Sequence, residues 1–569
     1  MKKTNLFYCI IVFLFFIINI NVFAQEALKS TEEEYYDFLS LQGLVERPTL
    51  GYRTLSDSVW EFTDGEDGQQ SDENIWKNNN LGTWFTLWEP DVAADNAFAR
   101  GLKQGLFAKI YGPEWFNSYN TAAPYGQNDG ALWQGKGYNT ALTAGLRLEG
   151  YGFEVTFKPQ VSFSENREFE TNPDVYPNPY SYSFKSGTVN QPIDIVRRYG
   201  DSSFWNYDWG DSEIRWSWHS LTIGFGTQNP WLGSAYLNPM LGSNNAGGYP
   251  KLDIGLRKTE VVIPFIDWNL GEIEGRIWVG MLEASNYFNL KAETDTRMLN
   301  ALSASFKPSF IPNFIIGANR IYISRWAFHN LRYLERLFSI HQRNGSQEGT
   351  GEDEDQKASL FINWEIPSAG FNVYGEFGID DFPSDKKTNI FHTAIYSIGI
   401  KQAIPFRFEK LQNLKSELTF EFNNFEMSQD YQLQFPYMGY YAHGDIPQGY
   451  TQKGQILGAG TGYFGNSQFL KYKIIYSKGF TEIILHRYCN NNNSILSQAV
   501  TQAANNELYK KWYVNYETYF CYGISSSYFI TKSLLVNCSF NYIKIYNRNY
   551  QRNNDINNYN YSINIKYEL

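Results

Sequence analysis

"YNYSINIKYEL", residues 559–569, alternates without a break. Its odd positions, Tyr559, Tyr561, Ile563, Ile565, Tyr567 and Leu569, are aromatic or aliphatic. Its even positions, Asn560, Ser562, Asn564, Lys566 and Glu568, are polar. Successive side chains of a strand point to opposite faces, so the stretch predicts a strand with one apolar and one polar surface. A chain end frays unless something ties it down. The pattern therefore calls for a partner strand.

The same two-residue period recurs upstream. "NTALTAGLRLEGYGFEVTFKPQVSF", from Asn139, alternates through Leu142, Ala144, Leu146 and Leu148, turns at Gly-Tyr-Gly, and alternates again through Val155, Phe157, Val161 and Phe163. Further alternating segments lie near 252–265, 271–283, 296–308, 314–325, 357–366, 370–379, 392–402, 415–427 and 468–477. Another carries Leu534, Val536, Cys538, Phe540 and Tyr542 on one side. Segments of about ten alternating residues, parted by turns and polar loops, mark an outer-membrane β-barrel. Lipid cannot satisfy backbone amides, so a sheet in a bilayer must close on itself. The expectation is an all-β, transmembrane antiparallel barrel of about eighteen strands, its last strand pairing with its first. Aromatic residues make up 18% of the chain and gather at strand ends, and no blade period repeats. Both features disfavour a soluble sandwich or propeller. The final strand suits recognition by the barrel-assembly machinery, although such strands commonly finish on Phe or Trp and this one finishes on Leu569.

The opening residues set the compartment. Lys2 and Lys3, an apolar run to Val22 and small-residue spacing at Val22 and Ala24 predict a signal peptide over 1–24, cleaved after Ala24. The alternative is an uncleaved membrane anchor over the long apolar run Leu6 to Phe23. Residues 25–80 are read as a periplasmic helical segment and linker, and 81–569 as the barrel in a Gram-negative type outer membrane. No later stretch has the ~18–20 apolar residues of a membrane helix. Ser30 and Thr31 precede Glu33 and Glu34 at capping-box spacing, and Gly43 and Pro48 stop the run, which predicts a helix over 31–46 covering the periplasmic mouth. A plain linker helix is the alternative. After cleavage Cys489, Cys521 and Cys538 remain, too few for a disulfide scaffold, and their pairing stays open.

Barrels host many functions, so function must be read from the irregular segments. Four stand out: 124–145 with "NDGALWQGKG", 210–256 with Trp-Leu-Gly and Ser-Asn-Asn-Ala, 364–382 with "PSAGFNVYGEF", and 441–462 with "HGDIPQGYTQKGQILG". On these motifs and the leading helix, over roughly residues 30–480, the chain resembles the capsule assembly protein Wzi family. The resemblance implies an eighteen-stranded outer-membrane barrel with a periplasmic helical element. It also implies a lectin role, holding capsular polysaccharide at the cell surface without catalysis or cofactor. The Asn- and Tyr-rich end lies outside it, and loops vary most, so ligand identity does not carry over.

The residue chemistry is compatible. Sugar hydroxyls suit Asn, Asp, Glu and Arg, and sugar C–H faces pack on Trp or Tyr. Candidate polysaccharide contacts are Asn128, Asp129, Trp133, Gln134, Asn229, Trp231, Asn244 and Asn245. The competing reading is that these asparagines and glycines build turns and the tryptophans sit in an interfacial belt. Glu376 and Asp380 share a strand face with Tyr374, which predicts a lumenal charge network with Arg320 or Arg325. "EGTGEDEDQ", 348–356, lacks a regular calcium-loop spacing and reads as a solvated loop.

Enzymatic readings find little support. The six histidines have no metal spacing, and His443 beside Asp445 has no nucleophile motif near it. No metal or cofactor is expected. A net charge of -11 argues against nucleic acid, and an anionic polymer would need local clusters such as Arg197 with Arg198 or Arg332 with Arg336. The expected partners are surface polysaccharide, outer-membrane lipid and the barrel-assembly machinery, with the chain acting as a monomer. The other reading is a diffusion pore for small solutes. About eighteen strands leave an aqueous channel unless loops or a helix fill it, so lumen occupancy discriminates the two.

Overall fold

The computed structural model describes residues 30–568 apart from 63–73, 81–82, 173–177, 182–183, 187–188, 192, 289–290, 340–353, 382–388, 390, 412, 435–438, 463, 491 and 493–514. The expected signal peptide, Cys9, Leu569 and most of the 348–356 stretch lie outside the described residues.

Eighteen antiparallel staves close into one barrel. In chain order they begin with β1 (Leu106–Asn120) and β2 (Gly137–Gly150). Next come β3 (Phe153–Phe157, continued by Gln160–Ser164) and β4 (Phe204–Asp208, continued by Glu213–Trp218). Then follow β5 (Leu221–Gly226), β6 (Lys251–Ile263), β7 (Trp268–Glu283), β8 (Thr296–Pro308) and β9 (Phe314–Arg325). The second half holds β10 (Glu354–Ile366), β11 (Phe371–Asp380), β12 (Ala394–Ala403), β13 (Lys415–Asn424) and β14 (Asn466–Tyr476). It ends with β15 (Gly479–Cys489), β16 (Thr518–Phe529), β17 (Leu534–Tyr546) and β18 (Ile556–Tyr567). The alternating segments read from the sequence fall on these staves within a few residues.

The closing strand behaves as its pattern requires. β18 pairs with β17 along its length and with β1 from Asn560↔Asn120 to Lys566↔Glu114, so both its edges are bonded. Its odd residues point out, Tyr561 being 49% exposed, while Asn558, Asn560 and Lys566 are buried inward. Ile254, Leu360, Ile362 and Trp364 continue the outward apolar surface on β6 and β10. Such a surface is stable only against lipid or detergent. Cys538 is exposed on this outer surface, Cys489 and Cys521 are buried, and all three are free thiols.

Short turns at 151–152, 219–220, 264–267, 309–313, 367–370, 477–478 and 530–533 lie at one mouth, and the long loops lie at the other. The N-terminal segment enters the short-turn mouth. Helix α1 spans Thr31–Leu41, five residues shorter than expected. Ser30 Oγ accepts the Glu33 N–H at 3.2 Å, as the capping spacing predicts. Gly43, at φ +75°, takes the left-handed conformation just beyond the helix end. Tyr35, Phe38, Leu39, Val45 and Trp76 pack against Ile475, Phe480, Phe529 and Leu535 of the wall. Each such side chain contributes ~1.5–3 kcal/mol on burial. The Trp76 indole donates to the Tyr476 carbonyl at 2.7 Å, and Asn80 Nδ2 to the Glu568 carbonyl at 3.1 Å. The polar side of α1 meets lumenal cations: Glu34 pairs with Lys471 and Lys473, and Asp37 with Lys401 and Arg47.

From the long-loop end, residues 227–250 and 439–462 fold inward. Trp231–Leu232 pairs with Tyr52–Arg53, joining the inward segment to the N-terminal one inside the lumen. Leu232, Met240, Leu241, Tyr249, Tyr441, Tyr450 and Leu457 form an apolar core with the wall residues Trp278, Leu299, Ile321 and Ile395. A core inside the barrel is the opposite of a water-lined channel wall.

Candidate functional site

A cavity of about 150 Å³ lies at the long-loop end, between the 124–134 loop, residues 195–197, the inward segment 454–462 and the ends of β15 and β16. Tyr125, Trp133, Phe169, Tyr488 and Tyr519 supply its aromatic faces, and Asn128, Asp129, Gln134, Arg197, Asn245 and Arg548 its polar groups.

Local geometry explains how each is held. Asn128 (φ +58°) and Gly130 (φ +60°) both sit in the left-handed region, so Asn-Asp-Gly does build a turn, and that turn presents its side chains to the cavity. The Gly130 N–H donates to the Asn244 carbonyl at 2.6 Å, tying the loop to the inward segment. Ser118 Oγ donates to Gln134 Oε1 at 2.7 Å, and the Gln134 amide faces the Asp129 carboxylate. Burial pushes the Asp129 carboxyl up to about 7 against the Gln134 hydrogen bond. Trp133 packs on Tyr199 with centroids 5.4 Å apart, and its indole N–H has no acceptor among the described residues. Tyr488 and Tyr519 stack at 4.7 Å and 6°. Arg548 donates to the Tyr519 hydroxyl at 2.7 Å and pairs with Glu517 at 2.7 Å.

Of the eight sugar-contact candidates, Asn128, Asp129, Trp133, Gln134 and Asn245 meet at this cavity. Asn229, Trp231 and Asn244 do not line it. Asn229 Nδ2 donates to the Ala246 carbonyl at 2.7 Å, and the buried Trp231 indole to the Ala235 carbonyl at 3.0 Å. These three brace the inward segment, and both tryptophans lie inside the barrel, away from any interfacial belt. Sequence reasoning missed Tyr125, Phe169, Tyr488, Tyr519 and Arg548. Tyr488 and Tyr519 were findable, because they occupy inward positions of alternating strands. Arg548 sits in an Asn-rich stretch with no pattern.

Residues 130–558 match the family described as Capsule assembly protein Wzi, which is most of the chain. The chain belongs to the Wzi family. The match begins one residue after Asp129 and runs into the Asn- and Tyr-rich end as far as residue 558, so the resemblance does not stop near 480 as the motifs suggested. Escherichia coli Wzi, an outer membrane protein involved in group 1 capsule assembly and a carbohydrate-binding β-barrel, is similar in fold. It aligns at TM-score 0.51 and 13% identity over 80% of this chain and 84% of that one. Pseudomonas putida OprB aligns at 0.36 and 11% identity (81% and 94% covered), and OprD from Pseudomonas aeruginosa at 0.36 and 8% (85% and 97%). No curated protein sequence matches the chain.

In this Wzi-family barrel three lumenal carboxylates hold backbone, while others, such as Glu213 and Asp253 around Arg215, hold arginine. Glu376 and Asp380 face inward and are buried, as their spacing with Tyr374 predicted. Their expected partners do not. Arg320 shares the outward parity of Phe314 and Ile316, bonding to Tyr322 and Gln356, and Arg325 sits exposed at the rim. Parity places Arg320 on the wrong face, a distinction spacing within one strand cannot reveal for another. Asp380 instead pairs with Lys357 at 2.7 Å, and Glu376 accepts the N–H groups of Ser234, Ala235 and Met240 at 2.8–3.1 Å. Glu421 takes those of Tyr236, Leu237 and Asn238 at 2.6–3.0 Å, and Glu274 those of Leu50, Gly51 and Tyr52 at 2.8–3.1 Å. Three wall carboxylates thus each grip three amides of a lumenal segment, a charge-assisted bond type about twice as strong as a neutral one. The proposed arginine clusters are paired too: Arg198 with Asp201 and Arg336 with Glu354.

Proposed function

We propose that this Wzi-family barrel holds surface polysaccharide at the outer membrane as a non-catalytic lectin. The sugar enters the cavity at the long-loop end, which faces the exterior, while α1 closes the periplasmic mouth. The observation that carries this reading is the aromatic- and amide-lined cavity above a lumen filled by the chain's own segments. Trp133 and Tyr125 offer faces for sugar C–H groups. Asn128, Gln134, Asn245 and the arginines offer hydrogen bonds to hydroxyls. Short turns on the periplasmic side and long loops outside are the usual sidedness of such barrels. The name of the family and the carbohydrate binding of the Escherichia coli protein support the same reading. Hydrolysis of a glycosidic bond usually needs two carboxylates flanking it, and among the described residues the cavity lining offers one, Asp129. Nothing in this reading calls for a cofactor or a second subunit.

The test is binding of the refolded barrel to immobilised polysaccharide from its own cell surface, measured by interferometry. Trp133→Ala should weaken binding tenfold or more with an unchanged melting temperature, as expected for an aromatic anchor worth ~1–3 kcal/mol. A wild-type barrel that binds no polysaccharide, or a Trp133→Ala variant that binds as well as wild type, defeats the reading.

A further inference from the structure

Asp355, Asp381 and His443 come together at the long-loop end, away from the sugar cavity. One ligand atom of each lies within 4.8 Å of the others. They arrive from three places. Asp355 sits at an inward position of β10, Asp381 directly follows β11, and His443 belongs to the inward segment 439–462. His443 Nε2 lies 3.4 Å from Asp381 Oδ2. Asp355 is fully buried, and its two oxygens differ: Oδ1 accepts from the Lys357 ammonium at 2.7 Å, while Oδ2 accepts no hydrogen bond among the described residues. A buried carboxylate oxygen left without a donor is costly and calls for a cation or proton.

We propose that these three side chains form a site for a divalent transition-metal ion of the Zn²⁺ type. Such an ion pins the inward segment 439–462 to the barrel wall. Charge favours it. Asp355 and Asp380 share one ammonium, Lys357, and Asp381 adds a third carboxylate beside His443. Donor chemistry selects the metal. Two carboxylates and one imidazole fit three-ligand zinc coordination, completed by water. Calcium would take six to eight oxygens and no nitrogen. The acidic stretch 348–356 contributes through Asp355 alone among its described residues. The cost is one long hydrogen bond: the Asp445 N–H, 3.2 Å from His443 Nδ1, must turn away when Nε2 binds metal and Nδ1 carries the proton.

The experiment is calorimetric titration of ZnCl₂, and separately CaCl₂, into the chelator-stripped full-length barrel in detergent. The expected result is one saturable zinc site, a higher melting temperature with zinc, and at least tenfold weaker zinc binding in His443→Gln and Asp381→Asn. Absence of saturable one-to-one zinc binding by the wild type overturns the proposal without reference to any variant. So does preference for calcium over zinc, or unchanged zinc affinity in both folded variants.

Discussion

The double substitution Glu376→Gln/Glu421→Gln asks what keeps the lumen closed. Each glutamine keeps one acceptor oxygen and turns an amide NH₂ toward backbone N–H donors. At Glu376 the better arrangement retains Ser234 and Ala235 and abandons Met240; at Glu421 it retains Tyr236 and Leu237 and abandons Asn238. Two charge-assisted bonds become neutral ones, losing about 1 kcal/mol each, and one buried N–H is orphaned at roughly 1–3 kcal/mol. That is ~3–5 kcal/mol per site. Both sites hold the same seven-residue stretch, so the losses couple, and about 6 kcal/mol is the working figure for the pair. At 1.4 kcal/mol per decade, release of the 234–240 segment becomes roughly 10⁴-fold more frequent. Single-channel recording in a planar bilayer reads this directly. The wild type should be closed, and the double variant should show transient conductance. A folded double variant as silent as wild type would mean that apolar packing of Leu232, Met240 and Tyr249, rather than the carboxylate grip, holds the segment. Steady wild-type conductance would restore the pore reading.

Three further outcomes are expected. Because burial raises the Asp129 carboxyl from 3.8 to about 7, ionising it destabilises the fold increasingly as pH rises through that window. Asp129→Asn should therefore be more stable than wild type by roughly 2 kcal/mol at pH 8, allowing for its solvent-facing side, and equal to it near pH 4 in thermal melts. Burial alone would raise Glu34 and Asp37, but Lys471 and Lys473, and Lys401 and Arg47, outweigh it and hold both well below the usual carboxylate range. Their contribution is complete above the ordinary values of 4.5 and 3.8 and falls away below them, by about 3 kcal/mol at pH 3. Amide exchange in α1, corrected for intrinsic pH effects, should accelerate about a hundredfold between pH 6 and pH 3, and no acceleration would contradict the ion-pair account. Finally, a maleimide in mild detergent should label Cys538 and spare Cys489 and Cys521 in the folded barrel. Equal labelling would show that the register of β17 is wrong.

Read alone, the sequence determined the barrel. Alternation is a local property of strands, and closure follows because lipid offers no partner for a free edge, so Tyr559 to Tyr567 carried the fold in their own spacing. The cap at Ser30 was equally local. The Asn128–Gln134 stretch was legible as a candidate because its side chains and its turn lie within seven residues. Only the tertiary structure decided the rest. Whether Trp231 meets a sugar or an Ala235 carbonyl depends on how residues 227–250 thread the lumen. That path is set by Glu376 and Glu421, some 140 and 185 residues later. Arg320 failed as a lumenal partner because strand parity is fixed by pairing with neighbours. Tyr488, Tyr519 and Arg548 join Trp133 across more than 350 residues, since closing the barrel places its last third beside its first. Local pattern specifies which face a side chain takes, but which faces meet inside a closed cylinder depends on closure and on the segments that fold back into it.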